Sequence, residues 1–180
     1  FFETPKKPID PKNNQKVEQK SEAGSIAPTI NQPTIVKNIS REDSIKKDKR
    51  IKIENNSIVG SINLKGAQID DISFKNHKQK VEGDKNIIFL NPAETENGFY
   101  IETGWTSVGN KIKIPTKESV WSVKGNNILS DNSPIVLQWN NGEGIIFEKK
   151  IELDNKYLFR ITQQVRNNSN STIDLYPYAQ

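Results

Sequence analysis

The sequence has no cysteine and no methionine, and its 180 residues include a single histidine, His77. Without cysteine, the chain cannot form disulfides, thiolate nucleophiles or cysteine-ligated zinc sites. A histidine that acts as a base or a metal ligand needs partner groups, and His77 stands among lysines with no second histidine. We therefore expect no metal, no cofactor and no enzymatic activity, and we interpret His77 as a solvated loop residue.

Long apolar runs are also missing. The longest such run spans residues 87–90, whereas a helix that crosses a bilayer needs about 20 apolar residues. Hydrophobic residues make up 33% of the chain, and its mean hydropathy is −0.73. These values are low for a domain of this length and predict that part of the chain does not fold. Because Phe1 opens the sequence, we expect a segment of a longer protein.

Positive charge is in slight excess. The 26 lysines and arginines and the 22 aspartates and glutamates give a formal net charge of +4. The charges are interspersed along the predicted strands, which is typical of a solvated surface rather than of a nucleic-acid footprint. The sequence has neither a recognition-helix pattern nor an aromatic RNA-binding signature. We therefore expect no nucleic-acid partner.

Residues 1–48 differ in composition from the rest of the chain. They have no aromatic residues apart from Phe1 and Phe2, and lysines and acids alternate there without periodicity. Prolines interrupt any regular element at Pro5, Pro8, Pro11, Pro28 and Pro33. The segment has few large side chains to offset the entropy of ordering it. It is predicted to be a disordered tether with a coil span of about 40 Å, although residues 30–39 could dock as an edge strand.

The clearest pattern is a pair of alternating runs joined by the turn Asp154-Asn155-Lys156. Side chains two residues apart lie on one face of a strand. The apolar face comprises Ile145, Phe147, Ile151, Leu153, Tyr157, Phe159, Ile161 and Val165. Polar residues occupy the other face, so the pattern predicts an antiparallel hairpin with one dry and one wet side. Such hairpins are the units of a β-sandwich.

Further strands are predicted on both sides of this hairpin. Upstream, the period of two breaks between Ile69 and Ile72, which predicts a bulge or bend near Gly66. The strands expected upstream span residues 51–53, 58–64, 87–90 (buried) and 99–103, with a small hairpin over 120–129. The last four strands, predicted at 135–139, 145–153, 157–166 and 172–178, form a meander. Because the last one ends with unpaired apolar residues, we expect the sandwich to be incomplete at its C-terminal end.

Two tryptophans are candidate contact residues for a ligand or partner. Trp105 follows a glycine at a strand end, and Trp121 lies on a short strand after a long loop. Aromatic residues in such positions stack on sugars or peptides, or else plug the end of a sandwich. Asp70-Asp71 lacks the further oxygens and the glycine of a cation-binding loop. We therefore interpret the two aspartates as charged residues that keep a strand end soluble. For the tryptophans, both ligand stacking and plugging of the sandwich stay open.

Residues 133–180 contain a strand ending in Trp139, the turn at Asn141-Gly142 and the closing Tyr176-Pro177-Tyr178. In these features the segment resembles the large periplasmic domain of the YidC membrane-protein insertases of Gram-negative bacteria. Residues 51–74 are similar to the opening strands of that family. Phe1-Phe2 followed by a Pro/Lys-rich linker is similar to the exit from its first membrane helix. The resemblance implies an all-β fold, a twisted antiparallel β-supersandwich of the galactose-mutarotase-like kind, over residues 49–180.

The resemblance also implies a function and a location. The chain would be a non-catalytic domain on the periplasmic face of the inner membrane, in an insertase that assists the insertion and folding of membrane proteins. Its partners would be auxiliary subunits of the Sec translocon and nascent membrane proteins. The membrane core of the family lies outside this sequence, so no residue is assigned insertase activity. Two alternatives remain, a carbohydrate-binding module and a purely structural spacer.

Overall fold

The computed structural model describes residues 39–109 and 112–180, which contain one short helix and eleven strands. These elements are α1 (Arg41–Lys47), β1 (Arg50–Glu54), β2 (Ile58–Asn63), β3 (Gln68–Lys78), β4 (Asn86–Leu90), β5 (Thr103–Ser107), β6 (Ser122–Lys124), β7 (Ile128–Leu129), β8 (Ile135–Asn140), β9 (Ile145–Leu153), β10 (Phe159–Asn167) and β11 (Leu175–Ala179). The expectation of an all-β body is confirmed.

The strands are arranged in three sheets. A five-stranded sheet has the order β4-β3-β2-β1-β7, a four-stranded sheet has the order β10-β9-β8-β6, and β11 pairs with β5. Neighbouring strands are antiparallel, except that β7 runs parallel to β1. The predicted hairpin is β9 and β10, in which Leu153 pairs with Phe159 across the turn. Its continuation to β8 confirms the first three strands of the predicted meander.

Buried side chains follow the two-residue period of the strands. On β9, Phe147 and Ile151 are buried while Lys150 is exposed, and on β1 Ile53 is buried while Lys52 is exposed. Because each large sheet has one such apolar face, the two faces pack together and form a single core. Fully buried members of the core include Ile53, Ile58, Ile62, Leu129, Ile135, Leu137 and Phe147.

Two predicted strand pairings are wrong. The fourth strand of the meander, expected over residues 172–178, pairs as β11 with β5 and not with β10. The hairpin expected over residues 120–129 does not form, because β6 joins β8 while β7 joins β1 in the other sheet. Strands adjacent in sequence are adjacent in space only about two-thirds of the time. Alternation alone does not tell which sheet a short strand joins.

The bend predicted near Gly66 is a tight turn between β2 and β3. Gly66 and Ala67 have positive φ angles of 77° and 52°, a conformation that glycine adopts readily and other residues rarely. The register of the two strands shifts separately, between Ser61 and Ile62. The broken period that the sequence shows between Ile69 and Ile72 therefore reflects a bulge inside the β2–β3 ladder as well as the turn.

Helix α1 lies within the segment that was predicted to be a tether, and for residues 41–47 that prediction is wrong. The side chain of Ser40 caps the helix by accepting a 3.1 Å hydrogen bond from the backbone N–H of Asp43. Its first turn is acidic and its last turn is basic, which suits the helix dipole. The helix was missed because it buries Ser44 and no large apolar residue, and so has no apolar periodicity.

Residues 1–38, with most of the tether and of the possible edge strand over residues 30–39, lie outside the described residues. The boundary at residue 49 between tether and sandwich stays a prediction. In the described part of the chain, no helix has the length and apolarity to cross a membrane.

Asp70 and Asp71 are buried on β3 and are not the exposed strand-end acids that the sequence suggested. They are 3% and 6% exposed. Each carboxylate is paired with an arginine, Asp70 with Arg50 at the start of β1 and Asp71 with Arg41 on α1. The hydroxyl of Ser61 also donates to Asp71 at 2.6 Å. Burial raises the pKa of Asp70, although Arg50 opposes that shift. These ion pairs attach α1 and the start of β1 to the sheet.

Loss of Arg50 should destabilise the fold strongly. Both side chains of the Arg50–Asp70 pair are nearly inaccessible, at 8% and 4% exposure. Arg50→Ala would leave the Asp70 carboxylate buried without its partner, which costs about 3–5 kcal/mol in such pairs. We expect a loss of that size in the free energy of unfolding, measured by urea denaturation with tryptophan fluorescence.

Lys47→Ala is the matched control for this substitution. Lys47 pairs with Glu94, but both side chains are about half exposed, at 46% and 55%. Exposed ion pairs contribute little to stability, so this variant should unfold close to the unsubstituted chain. Similar losses for the two variants would contradict the importance assigned to the buried pair.

Candidate binding cleft

Three chain connections meet at one end of the sandwich. They are the β1–β2, β3–β4 and β9–β10 turns, over residues 55–57, 79–85 and 154–158, and we call this the cleft end. The amide of Asn55 links two of the turns by donating to the carbonyl oxygens of Asp154 and Lys156, at 2.8 and 3.0 Å. The ends of the two large sheets are therefore fastened to each other here.

An apolar cleft opens beside these turns. Its volume is about 480 Å³. It is lined by Ile58, Ile72, Phe74, His77, Phe89, Leu90, Ile101, Tyr157 and Phe159. The lining is contributed by both large sheets, so the cleft is the place where their apolar faces part. Its side chains offer apolar and aromatic contact, and only His77 and Tyr157 among them carry an ionisable group.

Phe74 on β3 is the centre of an aromatic cluster in the cleft. Its ring stacks on Phe89 with the centroids 5.2 Å apart. Tyr157 and His77 both meet it edge-on at 5.5 Å. Phe99 extends the cluster by packing against Phe89 at 6.3 Å. Edge-on and offset-stacked rings attract one another beyond their burial, so these contacts stabilise the wall of the cleft.

The apolar run of β4 predicted a buried strand, but in the structure only Leu90 of this strand is buried. Ile88 and Phe89 are 41% and 50% exposed. The sequence was misread because the periodicity of a short apolar run does not show whether the strand is buried or exposed. β4 is the edge strand of its sheet within the described part of the chain, and the Lys-rich connection before it was the available sign of an outer hairpin. Phe99 and Tyr157 are also exposed, at 62% and 44%.

His77 lies on β3 and not in the loop where the sequence placed it. It is exposed at the rim of the cleft, with its ring against Phe74 and 6.2 Å from the ring of Tyr157. In residues 39–109 and 112–180, no group of three or more histidines and carboxylates is arranged to hold a metal ion. Through its edge-on contact with Phe74, His77 is part of the aromatic wall.

The predicted contact residues Trp105 and Trp121 lie away from the cleft, inside the core. They are 5% and 3% exposed. Their rings stack on each other at 6.4 Å, and Trp105 also meets Phe147 edge-on at 5.1 Å. This burial favours the packing alternative that the sequence left open. A direct role of either residue in contacting a ligand stays a prediction.

A buried lysine next to these tryptophans escaped the sequence analysis. Lys149 is 1% exposed. Its ammonium donates a 2.5 Å hydrogen bond to the carbonyl of Thr103 and lies 4.8 Å from the ring centre of Trp121. Such a position over an aromatic face stabilises a cation. The signal was present in the sequence, because Lys149 occupies the apolar row of β9 between Phe147 and Ile151.

Lys149 helps to hold the β5–β11 pair against the four-stranded sheet. Its bond to the Thr103 carbonyl joins β9 to β5. From the neighbouring strand β10, the amide of Gln163 donates to the carbonyl of Gly104 at 2.8 Å. The β5–β11 pair is thus attached to the four-stranded sheet by side-chain hydrogen bonds to the main chain of β5, and also by the packing of Trp105.

Stability should depend on pH through the amine of Lys149. Burial lowers its pKa from 10.5 to about 8, although Glu102 opposes the shift. Between these values the unfolded chain keeps the proton that the folded chain has lost, so the free energy of unfolding rises with pH. The expected rise is about 3 kcal/mol, because one pKa unit is worth about 1.4 kcal/mol.

Lys149→Met should abolish this rise, while Lys150→Met on the opposite face of β9 should keep it. Urea denaturation followed by tryptophan fluorescence across this pH range measures both variants against the unsubstituted chain. Comparing each variant with the unsubstituted chain removes the contribution of the other titrating groups, because all three chains share them. Equal pH slopes for the unsubstituted chain and Lys149→Met would contradict the assignment.

Comparison with known proteins confirms the resemblance seen in the sequence. A family model described as the YidC periplasmic domain matches residues 50–180. The membrane protein insertase YidC of Pelagibacter ubique is 39% identical over 173 residues, which are 96% of this chain and 31% of that protein. The insertase of the same name from Methylorubrum extorquens is 36% identical over 142 residues, 78% of this chain and 23% of its own length.

The chain therefore spans less than a third of the length of these relatives. The matched region begins at the first residue of β1 and includes every strand of the sandwich. The cleft and the buried lysine both lie inside it. From the extent of this match, we conclude that the chain belongs to the family of YidC periplasmic domains.

Proposed function

We propose that the chain is a non-catalytic interaction module of a membrane protein insertase, and that its aromatic cleft receives apolar segments of membrane proteins. The observation that supports this proposal is the half-exposed aromatic wall formed by Phe89, Phe99 and Tyr157. An apolar surface that a folded domain leaves open marks a site of interaction. The relatives named as insertases act on membrane proteins, whose apolar segments have the matching chemistry.

The edge strand beside the cleft supports an extended occupant. Among the strands of residues 39–109 and 112–180, β4 pairs with β3 on one side and is the last strand of the five-stranded sheet on the other. An added peptide strand can pair with the main chain of such an edge while its side chains enter the neighbouring pocket. The pocket beside β4 is lined by Phe89 and Leu90 of the same strand. An extended apolar peptide would therefore find backbone pairing and an apolar pocket side by side.

In the full protein, the module would lie at the periplasmic face of the inner membrane, tethered through the residues that precede α1. Auxiliary subunits of the Sec translocon are proposed as further partners. A pull-down with the 180-residue chain as bait tests this part of the proposal. Recovery of no translocon subunit, where the full-length insertase recovers one, would show that such a partner binds elsewhere.

Phe89→Asp tests the cleft directly. A dye-labelled apolar peptide taken from a membrane-spanning segment is titrated with the chain, and binding is followed by fluorescence anisotropy. Burying a phenylalanine side chain is worth about 1.5–3 kcal/mol, so the variant should bind at least about tenfold more weakly. Val120→Asp is the matched control, because Val120 is 65% exposed and lies outside the cleft. Equal affinity of the two variants would contradict the proposal.

The carbohydrate-binding alternative can be tested with the same protein. Sugar rings stack on exposed aromatic faces, and Trp105 and Trp121 have their faces buried against the core. We expect no change in tryptophan fluorescence when hexoses are added. A saturable change at millimolar sugar would favour the alternative instead.

A further inference from the structure

We propose that the cleft end of the sandwich docks on the surface of an anionic phospholipid bilayer, through the β3–β4 hairpin and the β9–β10 turn. This inference goes beyond the proposed function, because it requires no protein partner. It depends on Val81, Leu158 and the lysines at the tips of the two turns, whereas the peptide site uses the wall of the cleft, and only Tyr157 belongs to both. A failure of lipid binding would therefore leave the peptide test untouched, and the reverse also holds.

Two apolar side chains project into solvent at these tips. Val81, in the connection between β3 and β4, is 103% exposed, which is as open as a side chain can be. Leu158, at the end of the β9–β10 turn, is 63% exposed, and Tyr157 beside it is 44% exposed. Neither Val81 nor Leu158 belongs to the core or to the residues packed against it. Apolar and aromatic tips of this kind suit insertion between lipid headgroups.

Lysines surround the β3–β4 tip. Lys78, Lys80 and Lys85 flank Val81 in the sequence, and none of the three is in an ion pair within the described residues. The ammonium of Lys78 donates only to the backbone carbonyl of Asp84. Such cations are available to lipid phosphates, and their long stems let the charge reach the headgroups while the tip inserts.

The acids of the cleft end only partly offset these cations. The Asp154 carboxylate accepts hydrogen bonds from the backbone N–H groups of Lys156 and Leu158, at 2.8 and 2.9 Å, and so is committed to its own turn. Glu54 is covered by two lysines. Glu82 and Asp84 remain in the hairpin, against three lysines there. In the hairpin the lysines exceed Glu82 and Asp84 by one charge, and Lys156 balances Asp154 in the other turn, so the two tips together carry one net positive charge, which is complementary to anionic lipids.

The direction of α1 agrees with this orientation. Arg41 at its start contacts Asp71 and reaches towards Ser73, whereas Asp48 just beyond its end accepts a hydrogen bond from Asn63. The helix thus runs alongside the sheet, away from the cleft end, with its first turn nearest to that end. The start of α1 therefore lies on the side of the domain that would face the bilayer.

Vesicle flotation tests the proposal with the 180-residue chain. One set of vesicles contains equal parts of phosphatidylglycerol and phosphatidylcholine, and the other contains phosphatidylcholine alone. We expect the chain to float with the anionic vesicles at low salt, to be released at high salt, and to stay behind with the neutral ones. The absence of binding to the anionic vesicles, or equal binding to both sets, would overturn the proposal.

Two pairs of variants locate the docking surface. Val81→Asp and Lys80→Glu change the β3–β4 tip. Each should weaken binding to the anionic vesicles by at least about fivefold, because one lysine near an anionic surface strengthens binding by about that factor. The controls carry the same substitutions at the opposite end of the sheet. Val120→Asp alters a residue whose backbone bridges to Lys65 in the β2–β3 turn, and Lys117→Glu alters the residue packed on Gly66 in that turn.

All four substitutions are on the surface, so the variants should fold. Equal losses in tip and control variants would show that binding depends on net charge alone, which would overturn the assignment to this end. Sedimentation without vesicles tests a second copy of the chain as the occupant. We expect a monomer, and a dimer that Val81→Asp dissociates would assign the tip to self-association instead of lipid.

Discussion

The inner face of β9 is the constraint on which the rest of the structure depends. β9 is flanked by β8 and β10 in the four-stranded sheet, and its alternate residues point into the core. Phe147 meets Trp105 and Trp139, and Ile151 pairs across the sheet with Ile135 and Ile161. A one-residue slip of this strand would move the entire row into solvent. The register of the sandwich is therefore set where the apolar alternation is longest.

The apolar row of β9 also contains the cation of Lys149, which requires polar and aromatic partners around it. Lys149 cannot be buried without a partner, because a bare ammonium in the core is costly. The carbonyl of Thr103 and the face of Trp121 supply the missing contacts. Both contacts come from the segment that precedes β6, so satisfying the lysine also draws β5 and its neighbour onto the sheet. Both tryptophans are buried beside this lysine, and the exposed aromatic rings lie in the cleft instead.

The parts of the fold that the sequence predicted are those governed by a single strand pair. The β9–β10 hairpin follows from alternation and from the turn at Asp154, whose carboxylate caps two backbone N–H groups. The pairing of β11 with β5 could not be predicted, because it joins residues about 70 apart in sequence and no local pattern encodes it. Helix α1 is attached by the ion pair of Arg41 with the buried Asp71 on β3, and this pair becomes visible only once the sheet is assembled.

The candidate site was unpredictable for a related reason. Its wall combines β3 and β4 of one sheet with the β9–β10 turn and β10 of the other, and sequence alternation describes each strand separately. The exposed rings of Phe89 and Tyr157 nevertheless have a structural cause. Each of the two rings packs on Phe74, so each is shielded from solvent on one side although its other side is exposed in the cleft. Because the core around β9 and Lys149 holds the two large sheets together, the fold tolerates exposed apolar side chains in the cleft.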